Sequence, residues 1–321
     1  MFRKRARYRI EGTLTLRNRR GLTINGNGAT FFATTRGRRE GRRERSQFLV
    51  LRGKRIVFRN LHIRGANKDA GTADEAYIER LEAQHGISFE GVVGAEVDHV
   101  QVNNVYGDFV YIGRTKRRRP SSDVWIHDSR FSGNGRTGIG VVGASNVIIE
   151  RNHIDQTRRS TFDLEPGTRS ARVTNVFILN NTVGEGRLLF VASHGGGAVS
   201  DVVISGNRLV GHAMSIDAGS GEPSPRRSNW VVVNNTSDTP VHRQPMTFFR
   251  IDGVAVHGNR QEVEGDTPAV VLIDVCGADV SDNQFTSTRI RHTTPVCDAP
   301  LIVPKPPAIM GRGTTGAVPP S

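Results

Sequence analysis

The stretch VIIERNHI (147–154) contains the pattern on which the fold prediction rests. Alternating apolar residues are followed by one or two polar residues, an Asn and another apolar residue. The pattern recurs in IVFRNLHI (56–63), VQVNNV (100–105), VFILNNTV (176–183), VVISGNRL (202–209), VVVNNT (231–236), VAVHGNR (254–260) and ADVSDNQF (278–285), with Ser129 in the Asn position of VWIHDSRF (124–131). From Asn104 onward it returns about every 25 residues, which is typical of a solenoid. The longer interval from Asn60 to Asn104 predicts one coil with an insertion at 65–84.

This repeat predicts an all-β protein built as a parallel β-helix of about ten coils. A single coil of three short strands cannot bury its apolar side chains, whereas stacked coils form a continuous core with strands about 4.8 Å apart. An Asn at each corner tolerates a left-handed turn and can bond to the equivalent Asn of the next coil. Leucine-rich repeats require denser Leu, and β-propellers require a longer repeat.

The repeated V-x-I-x-x-N corner and the opening GLTINGNGATFF (21–32) resemble the pectate-lyase-like superfamily of right-handed parallel β-helix proteins, over residues 8–290. The resemblance implies a right-handed helix, a polysaccharide as substrate or partner, and an extracellular or cell-surface location. Such proteins usually begin with a signal peptide and a capping helix, and the start MFRKRARYRI matches neither. We therefore expect one β-helix domain at 1–300 whose N-terminal cap is missing.

The chain is strongly basic, with a net charge of +13 and a pI near 10.8. The basic runs lie at 3–9, 36–45 and 116–119, and we interpret them as solvated loops. A basic surface attracts polyanions such as acidic polysaccharides. Nucleic acid is not expected as a partner, because no aromatic residues are interleaved with the runs and no nucleic-acid-binding motif accompanies them. No apolar stretch reaches about 18 residues, so no membrane-spanning helix is predicted.

The C-terminal region holds both cysteines and a Pro- and Gly-rich tail. Cys276 and Cys297 are too few for a zinc site, and the sequence leaves open whether they form a disulfide or remain thiols. Residues 301–321 are predicted to be a disordered tail. The oligomeric state is left open.

A second strand-like segment follows each Asn corner. These segments are HGISFEG (85–91), DFVYIG (108–113), TGIGVVG (137–143), STFDLEPG (160–167), RLLFVAS (187–193), AMSIDAG (213–219) and MTFFRI (246–251). Because side chains alternate along a strand, we predict two outward columns. One is Ser88, Tyr111, Gly140, Asp163, Phe190 and Ser215, and the other is Glu90, Gly113, Val142, Glu165, Ala192 and Asp217. Acids, rings and small residues on one face predict a groove for a sugar chain.

Asp163, Glu165 and Asp217 are the predicted catalytic acids. Asp163 and Glu165 point outward from one strand, about 7 Å apart at the backbone. Glu165 and Asp217 are predicted to lie two coils apart, at about 10 Å. Both separations are compatible with two carboxylates that leave room for a water molecule, as in inverting glycosidases. The competing interpretation is structural, since outward acids also bond to backbone, to solvent or to an arginine such as Arg187.

His85, Asp108, Tyr111, Phe190 and His194 are the predicted substrate-binding residues. The rings of Tyr111 and Phe190 would stack on sugars, His85 could donate a proton, and Asp108 could bond a hydroxyl or a cation. No cofactor or metal is predicted, because the acids form no compact Ca²⁺ cluster in the sequence. Ca²⁺ would enter only if the reaction were a β-elimination on uronates.

Two functions remain open at this point. The first is a carbohydrate-active enzyme that cleaves a polysaccharide, an acidic one suiting the charge, by hydrolysis or β-elimination. The second is a non-catalytic β-helix for surface adhesion or glycan binding. Several acids gathered on one groove favour the enzyme.

Overall fold

The computed structural model confirms the predicted parallel β-helix. It describes residues 2–36, 45–241, 245–287, 289–293 (of residue 292, the backbone), 297, 299–300, 302–309 and 312. In chain order the strands are β1 (Arg7–Arg9), β2 (Leu14–Arg17), β3 (Arg20–Phe32), β4 (Phe48–Leu51), β5 (Lys54–Arg64), β6 (Ile87–Glu90), β7 (Val93–Val105), β8 (Val110–Gly113), β9 (Ser121–His127), β10 (Arg130–Asn134), β11 (Ile139–Val141), β12 (Ala144–Glu150), β13 (His153–Asp155), β14 (Phe162–Leu164), β15 (Arg172–Leu179), β16 (Thr182–Val183), β17 (Val191–Ser193), β18 (Ala198–Ser205), β19 (Arg208–Leu209), β20 (Ile216–Gly219), β21 (Arg227–Val233), β22 (Thr236–Ser237), β23 (Met246–Phe249), β24 (Ile251–His257), β25 (Arg260–Gln261), β26 (Val270–Ile273), β27 (Cys276–Ser281), β28 (Gln284–Phe285) and β29 (Ile290–Thr293).

The strands form two parallel sheets around one core. The first sheet has 18 strands, and in most coils it holds a longer strand and a short one separated by a corner. The second sheet has 11 strands: β2, β4, β6, β8, β11, β14, β17, β20, β23, β26 and β29. Each complete coil therefore contributes three strands, as the period of the repeat predicts.

Alternate residues of each strand point into the core. Val110, Ile139 and Phe162 lie in register on β8, β11 and β14, and all three are fully buried. In the N-terminal coils, Phe48 contacts the rings of Phe31 and Phe58 edge to face. Within the described residues, no helix is long and apolar enough to cross a membrane.

Two consecutive residues form the corner that carries the repeated Asn, and each has a different structural role. The first adopts a left-handed conformation with positive φ, and this group is Asn60, His99, Asp128, Arg151, Asn180, Gly206, Asn234, Gly258 and Asp282. The second is buried in most coils and carries an amide ladder made by Asn152, Asn181, Asn207, Asn235, Asn259 and Asn283. Each ladder amide donates to the Oδ1 of the next Asn at 2.8–3.1 Å.

The prediction that one Asn both turns the chain and bonds to its neighbour is therefore wrong in this detail. Asn60 turns the chain, and its buried successor is Leu61. Asn104 lies outside this corner, because Val100 is the residue in register with Leu61. The side-chain ladder begins at Asn152, so the N-terminal coils stack without it.

A second ladder, which the repeat did not reveal, lies at the start of the longer strands. The Asn146 amide donates to Asp123 Oδ1 at 2.8 Å, and the Asn175 amide donates to Asn146 Oδ1 at 2.7 Å. Farther along, the Asn229 amide donates to Asp201 Oδ1 at 2.8 Å. All five residues have positive φ, so this corner uses Asx side chains for both the turn and the ladder.

The predicted insertion at 65–84 contains two short 3-10 helices, Asp74–Ala76 and Glu79–Leu81. It packs against later coils, because Asp74 pairs with Arg158 at 2.6 Å and with Arg187 at 3.1 Å. Arg187, which the sequence offered as a partner for the outward acids, is thus engaged by the insertion.

The structure describes the disulfide region and part of the segment for which a disordered tail is predicted. Cys276 and Cys297 form a disulfide. Ile309 is buried against the outer face of the first sheet, and Arg312 pairs with Glu150 at 3.1 Å. Residues 301, 310–311 and 313–321 lie outside the described residues.

The basic runs are not all solvated. Residues 37–44 lie outside the described residues, but Arg45 is buried and pairs with Glu11 at 3.0 Å. The run at 116–119 is exposed, as predicted, and Lys116, Arg117 and Arg119 line a cleft on the second sheet.

The amide ladder should contribute measurably to stability. We expect Asn207→Leu to lower the free energy of unfolding by about 1–3 kcal/mol, because it leaves the Asn235 Oδ1 and the backbone carbonyl of Ile178 without the amide that bonds them. Urea unfolding monitored by circular dichroism measures the change. Arg208→Leu alters the exposed neighbouring residue and should cost much less. Equal losses in the two variants would contradict a specific role for the ladder.

Candidate functional site

The candidate site lies on the outward side of the second sheet. The strand register defines one outward column, which we call the outer column: Ser88, Tyr111, Gly140, Asp163, Ala192, Asp217 and Thr247. Its first four members agree with the predicted column. The next two do not, because Ala192 and Asp217 stand where Phe190 and Ser215 were expected.

Phe190 is therefore wrongly placed as a substrate-binding residue. It precedes β17, is fully buried, and packs its ring 5.7 Å from that of Phe162. The sequence could not fix where this strand begins, and hence its register, because Leu188, Leu189, Phe190 and Val191 are all apolar. A ring inside the core cannot stack on a sugar.

The corrected register changes the predicted pair of acids. Asp217 shares a column with Asp163 rather than with Glu165, and Ala192 stands between them. Two strand spacings put the Asp163 and Asp217 backbones roughly 10 Å apart. The residue between the two acids, Ala192, is small and only 7% exposed.

The two acids of this pair have different surroundings. Asp163 is half-buried, and burial together with the negative charge of Glu165 raises its pKa to about 7. Asp217 is more exposed and pairs with His194, whose Nε2 lies 3.3 Å from Asp217 Oδ2. The hydrogen bond to Asp217 raises the pKa of His194. One acid is thus disposed to hold a proton at neutral pH, and the other is paired with a histidine whose pKa is raised by the pairing.

Arg136, which the sequence analysis did not single out, connects the acids to the rest of the face. Its Nη1 donates to both carboxylate oxygens of Asp108 at 3.0 Å, and its Nη2 lies 4.0 Å from Glu165 Oε2. The Asp108 carboxylate raises the pKa of Arg136, so this guanidinium stays charged. Arg136 can be recognised as part of the site only from its position beside the acids, and that position results from the stacking of the coils.

Asp108 is placed beneath the face rather than on it. The side chain is fully buried, and burial raises its pKa to about 6 although Arg136 and the Thr137 N–H bond its carboxylate. A Cβ at Gly140 would lie 2.8 Å from Asp108 Oδ2, so the absence of a side chain at Gly140 makes room for this carboxylate. Asp108 can position Arg136, but it is not exposed to bond a sugar hydroxyl.

His85 and Tyr111 form part of the floor of the face. Their rings stack with centroids 4.7 Å apart, and His85 Nδ1 accepts the backbone N–H of Asp108 at 3.0 Å. Burial, with Arg136 nearby, lowers the pKa of His85 to about 3. A neutral, buried His85 does not fit the role of a proton donor at neutral pH, whereas the half-buried Tyr111 ring borders the open space.

A buried cation lies behind the acids. Arg227, at the start of β21, is fully buried and donates to the backbone carbonyls of Ser193 and His194. Burial lowers its pKa to about 10, while the charges of Asp163, Asp217 and Glu165 act in the opposite direction. Arg227 therefore fixes the backbone of the residue that partners Asp217.

A cleft of about 730 Å³ opens on the N-terminal part of the same face. We call it the basic cleft, because six cations line it against two carboxylates. The cations are Arg17, Arg52, Lys116, Arg117, Arg119 and Arg136, and the acids are Glu82 and Glu90. Part of the insertion forms one wall and the run at 116–119 another, with Tyr111 and Ser88 in the floor.

Three possible metal ligands come together on the first sheet rather than beside the acids. Among the described residues, the one group of three possible ligands within reach of each other is Asp98, His127 and Asp128. There Arg59 pairs with Asp98 at 2.7 Å and Arg151 pairs with Asp128 at 2.8 Å. Asp163, Glu165 and Asp217 do not form such a group.

Comparisons with known proteins agree with the fold. The sequence profile of a family described as "Right handed beta helix region" matches residues 47–237, and no curated protein matches the sequence. The surface protein and adhesin PfbA of Streptococcus pneumoniae superposes with a TM-score of 0.54 at 15% identity, covering 89% of each chain.

Two enzymes give lower TM-scores. DFA-IIIase from Arthrobacter chlorophenolicus superposes at 0.49 with 15% identity, covering 88% of this chain and 76% of its own. An alginate lyase from Paenibacillus superposes at 0.45 with 14% identity, covering 91% and 89%. The similar structures thus include an adhesin and carbohydrate-active enzymes, and at 15% identity the similarity to PfbA shows the fold alone.

The raised pKa of Asp163 should appear in the pH dependence of stability. Below about pH 4 this carboxyl is protonated in both states. Between the ordinary pKa of 3.8 and the folded-state pKa of about 7, the unfolded chain releases the proton first, so the folded state loses stability as pH rises. We therefore expect the free energy of unfolding of Asp163→Asn, relative to wild type, to increase from pH 4 to pH 7 and then to level off.

Urea unfolding across this pH range measures the effect. Asp266→Asn is the matched control, because the Asp266 side chain is 91% exposed. A difference between Asp163→Asn and wild type that did not change with pH would contradict a raised pKa.

Proposed function

This chain belongs to the right-handed β-helix family, and we propose that it binds and cleaves a polysaccharide along the outer face of its second sheet. The observation that carries the proposal is the pairing of Asp163 with Asp217 in one outward column, with only Ala192 between them. Two acids with unlike surroundings, two strand spacings apart, are the kind of pair that acid–base cleavage of a glycosidic bond uses.

The surroundings assign a role to each acid. With a pKa of about 7, Asp163 keeps a proton on a large fraction of molecules at neutral pH, and it would donate this proton to the glycosidic oxygen as the C–O bond breaks. Asp217, held by His194, would accept a proton from the water that attacks the anomeric carbon from the opposite side. The separation of roughly 10 Å at the backbone is compatible with this inverting arrangement.

Glu165, Arg136 and Arg227 would support the acids. Glu165 raises the pKa of Asp163 through its negative charge. Arg227 holds the carbonyl of His194 at 2.7 Å from its Nη2 and so orients the residue that partners Asp217. Arg136 extends from buried Asp108 toward Glu165.

The basic cleft supports an acidic polysaccharide as the substrate. Six cations against two acids would attract carboxylate or sulfate groups of a sugar chain. The cleft and the acids share the outward face of one sheet, so a single extended chain could occupy both. The disulfide between Cys276 and Cys297 favours an oxidising location outside the cytosol.

A non-catalytic glycan-binding or adhesive role is the second candidate. The basic cleft favours it, since this cleft could hold an anionic glycan without the participation of Asp163 or Asp217. The catalytic test below separates the two candidates.

Loss of either acid should abolish cleavage. We expect Asp163→Asn and Asp217→Asn each to lower kcat by about 10²–10⁴-fold, because each removes a proton-transfer group. Release of reducing ends from a panel of acidic and neutral polysaccharides measures hydrolysis. The ultraviolet absorbance of unsaturated sugar ends would reveal β-elimination instead.

Asp266→Asn, an exposed carboxylate far from the acids in sequence, is the control and should retain full activity. Cleavage that survives in both site variants would overturn the assignment of the acids. Binding of a polysaccharide by the wild type without any cleavage would favour the adhesive role.

Charge reversal in the basic cleft should selectively weaken the binding of acidic polysaccharides. We expect Lys116→Glu with Arg119→Glu to raise KM for acidic polysaccharides at low salt, because two attractive charges become repulsive. Neutral polysaccharides should be unaffected. Arg130→Glu combined with Arg172→Glu, at two exposed positions on the first sheet, changes the net charge equally and serves as the control. Equal effects in the two double variants would show that the cleft does not select the charge of the substrate.

A further inference from the structure

The outward face of the first sheet carries an apolar stripe that is shielded from solvent. One column holds Trp125, Ile148, Phe177, Val203, Val231 and Ala255, one residue from each of β9, β12, β15, β18, β21 and β24. These side chains form a cluster separate from the core, yet none is more than 7% exposed. We call this column the stripe. The stripe ends where the same column continues into charged residues, which are Glu96 beside Trp125 and Asp279 beside Ala255.

The C-terminal segment lies on the stripe. We define the strap as residues 302–309 together with Arg312. Ile309 belongs to the same buried cluster as Trp125 and Phe177, and Pro304 is also buried. Arg312 donates to both carboxylate oxygens of Glu150 at 3.1 Å. Glu150 in turn accepts the indole N–H of Trp125 at 2.8 Å.

The chain is long enough to run along the stripe. Cys297 is held at Cys276 on β27, and Arg312 reaches Glu150 on β12, which is five strand spacings away, or roughly 24 Å. An extended polyproline conformation covers about 3 Å per residue, so the chain from Cys297 to Arg312 exceeds this distance. Three of the eight residues at 302–309 are Pro, which favours this conformation. The strap therefore has the length needed to run along the stripe.

Side chains, rather than backbone pairing, hold the strap in place. Among the described backbone hydrogen bonds outside strands and helices, the one within the strap joins the Arg312 N–H to the Ile309 carbonyl, and none joins the strap to the sheet. An extended Pro-rich segment seated on an aromatic surface by an apolar anchor and a charge is a known mode of peptide recognition. Such a segment can leave its surface without breaking the sheet.

We propose that the stripe is a binding site for an extended Pro-rich peptide that carries an apolar anchor and a C-terminal Arg, and that the strap is its resident ligand. The site is distinct from the acids and the basic cleft, which lie on the other sheet. In the intact chain the strap occupies the site because its attachment gives it a high effective concentration. The same peptide supplied from outside binds only when the strap has been released.

The test uses the full chain and a fluorescent peptide with the sequence of residues 302–312, IVPKPPAIMGR. Ile309→Asp in the chain should release the strap, because it buries a charge in the cluster. We expect the peptide to bind this variant and not the wild type, as measured by fluorescence anisotropy. Acrylamide quenching of Trp125 should increase about twofold or more in the variant and fall again when the peptide is added.

Ile302→Asp is the matched control, because Ile302 belongs to the same segment but is 61% exposed. This variant should behave as wild type. A peptide that itself carries Ile309→Asp should not bind the released chain. Peptide binding by wild type and Ile309→Asp alike, absence of binding by Ile309→Asp, or unchanged quenching of Trp125 in that variant would each overturn the proposal.

Discussion

Coil-to-coil register is the constraint on which the rest of the structure depends. Strands that pair in parallel at a fixed spacing allow each side chain one position relative to the coils before and after it. The amide ladder from Asn152 to Asn283 reinforces this register with a hydrogen bond at every step. The coils that carry Asp163 and Asp217 lie within the ladder. The pair of acids is therefore a consequence of stacking and not of their spacing in the chain.

The N-terminal coils are built differently and present a different surface. They lack the amide ladder, and Phe31, Phe48, Phe58 and Phe89 fill their core with successive ring contacts. Two excursions of the chain, the insertion at 65–84 and the run at 116–119, rise above their second-sheet strands and enclose the basic cleft. One face of one sheet thus combines a cationic part and an acidic part, and Arg136 contacts the acids of both: Glu82 at 3.5 Å and Glu165 at 4.0 Å.

The fold could be predicted from the sequence because the repeat is periodic. The site could be predicted only in part, because the register between coils depends on residues far apart in the chain. The inward pairs Ile87/Phe89, Val110/Ile112, Ile139/Val141 and Phe162/Leu164 follow from alternation, and all are buried. The alternation disappears in the run from Leu188 to Val191, and the prediction slipped there by two residues. Arg136 and Arg227 were missed because their partners come from other coils. The stripe had a signal that was not used: VFIL and WVVV are continuous apolar runs, which indicate strands buried on both faces.

The order of the chain has a consequence for how the protein is made. Every residue of the stripe is synthesised before the strap that covers it, since residues 125–255 precede 302–312. During translation, N-terminal coils can stack while the strap has not yet left the ribosome. For that interval the nascent β-helix displays a column of Trp, Ile, Phe and Val to its surroundings. Such transiently exposed apolar surface favours aggregation until the strap emerges and covers it.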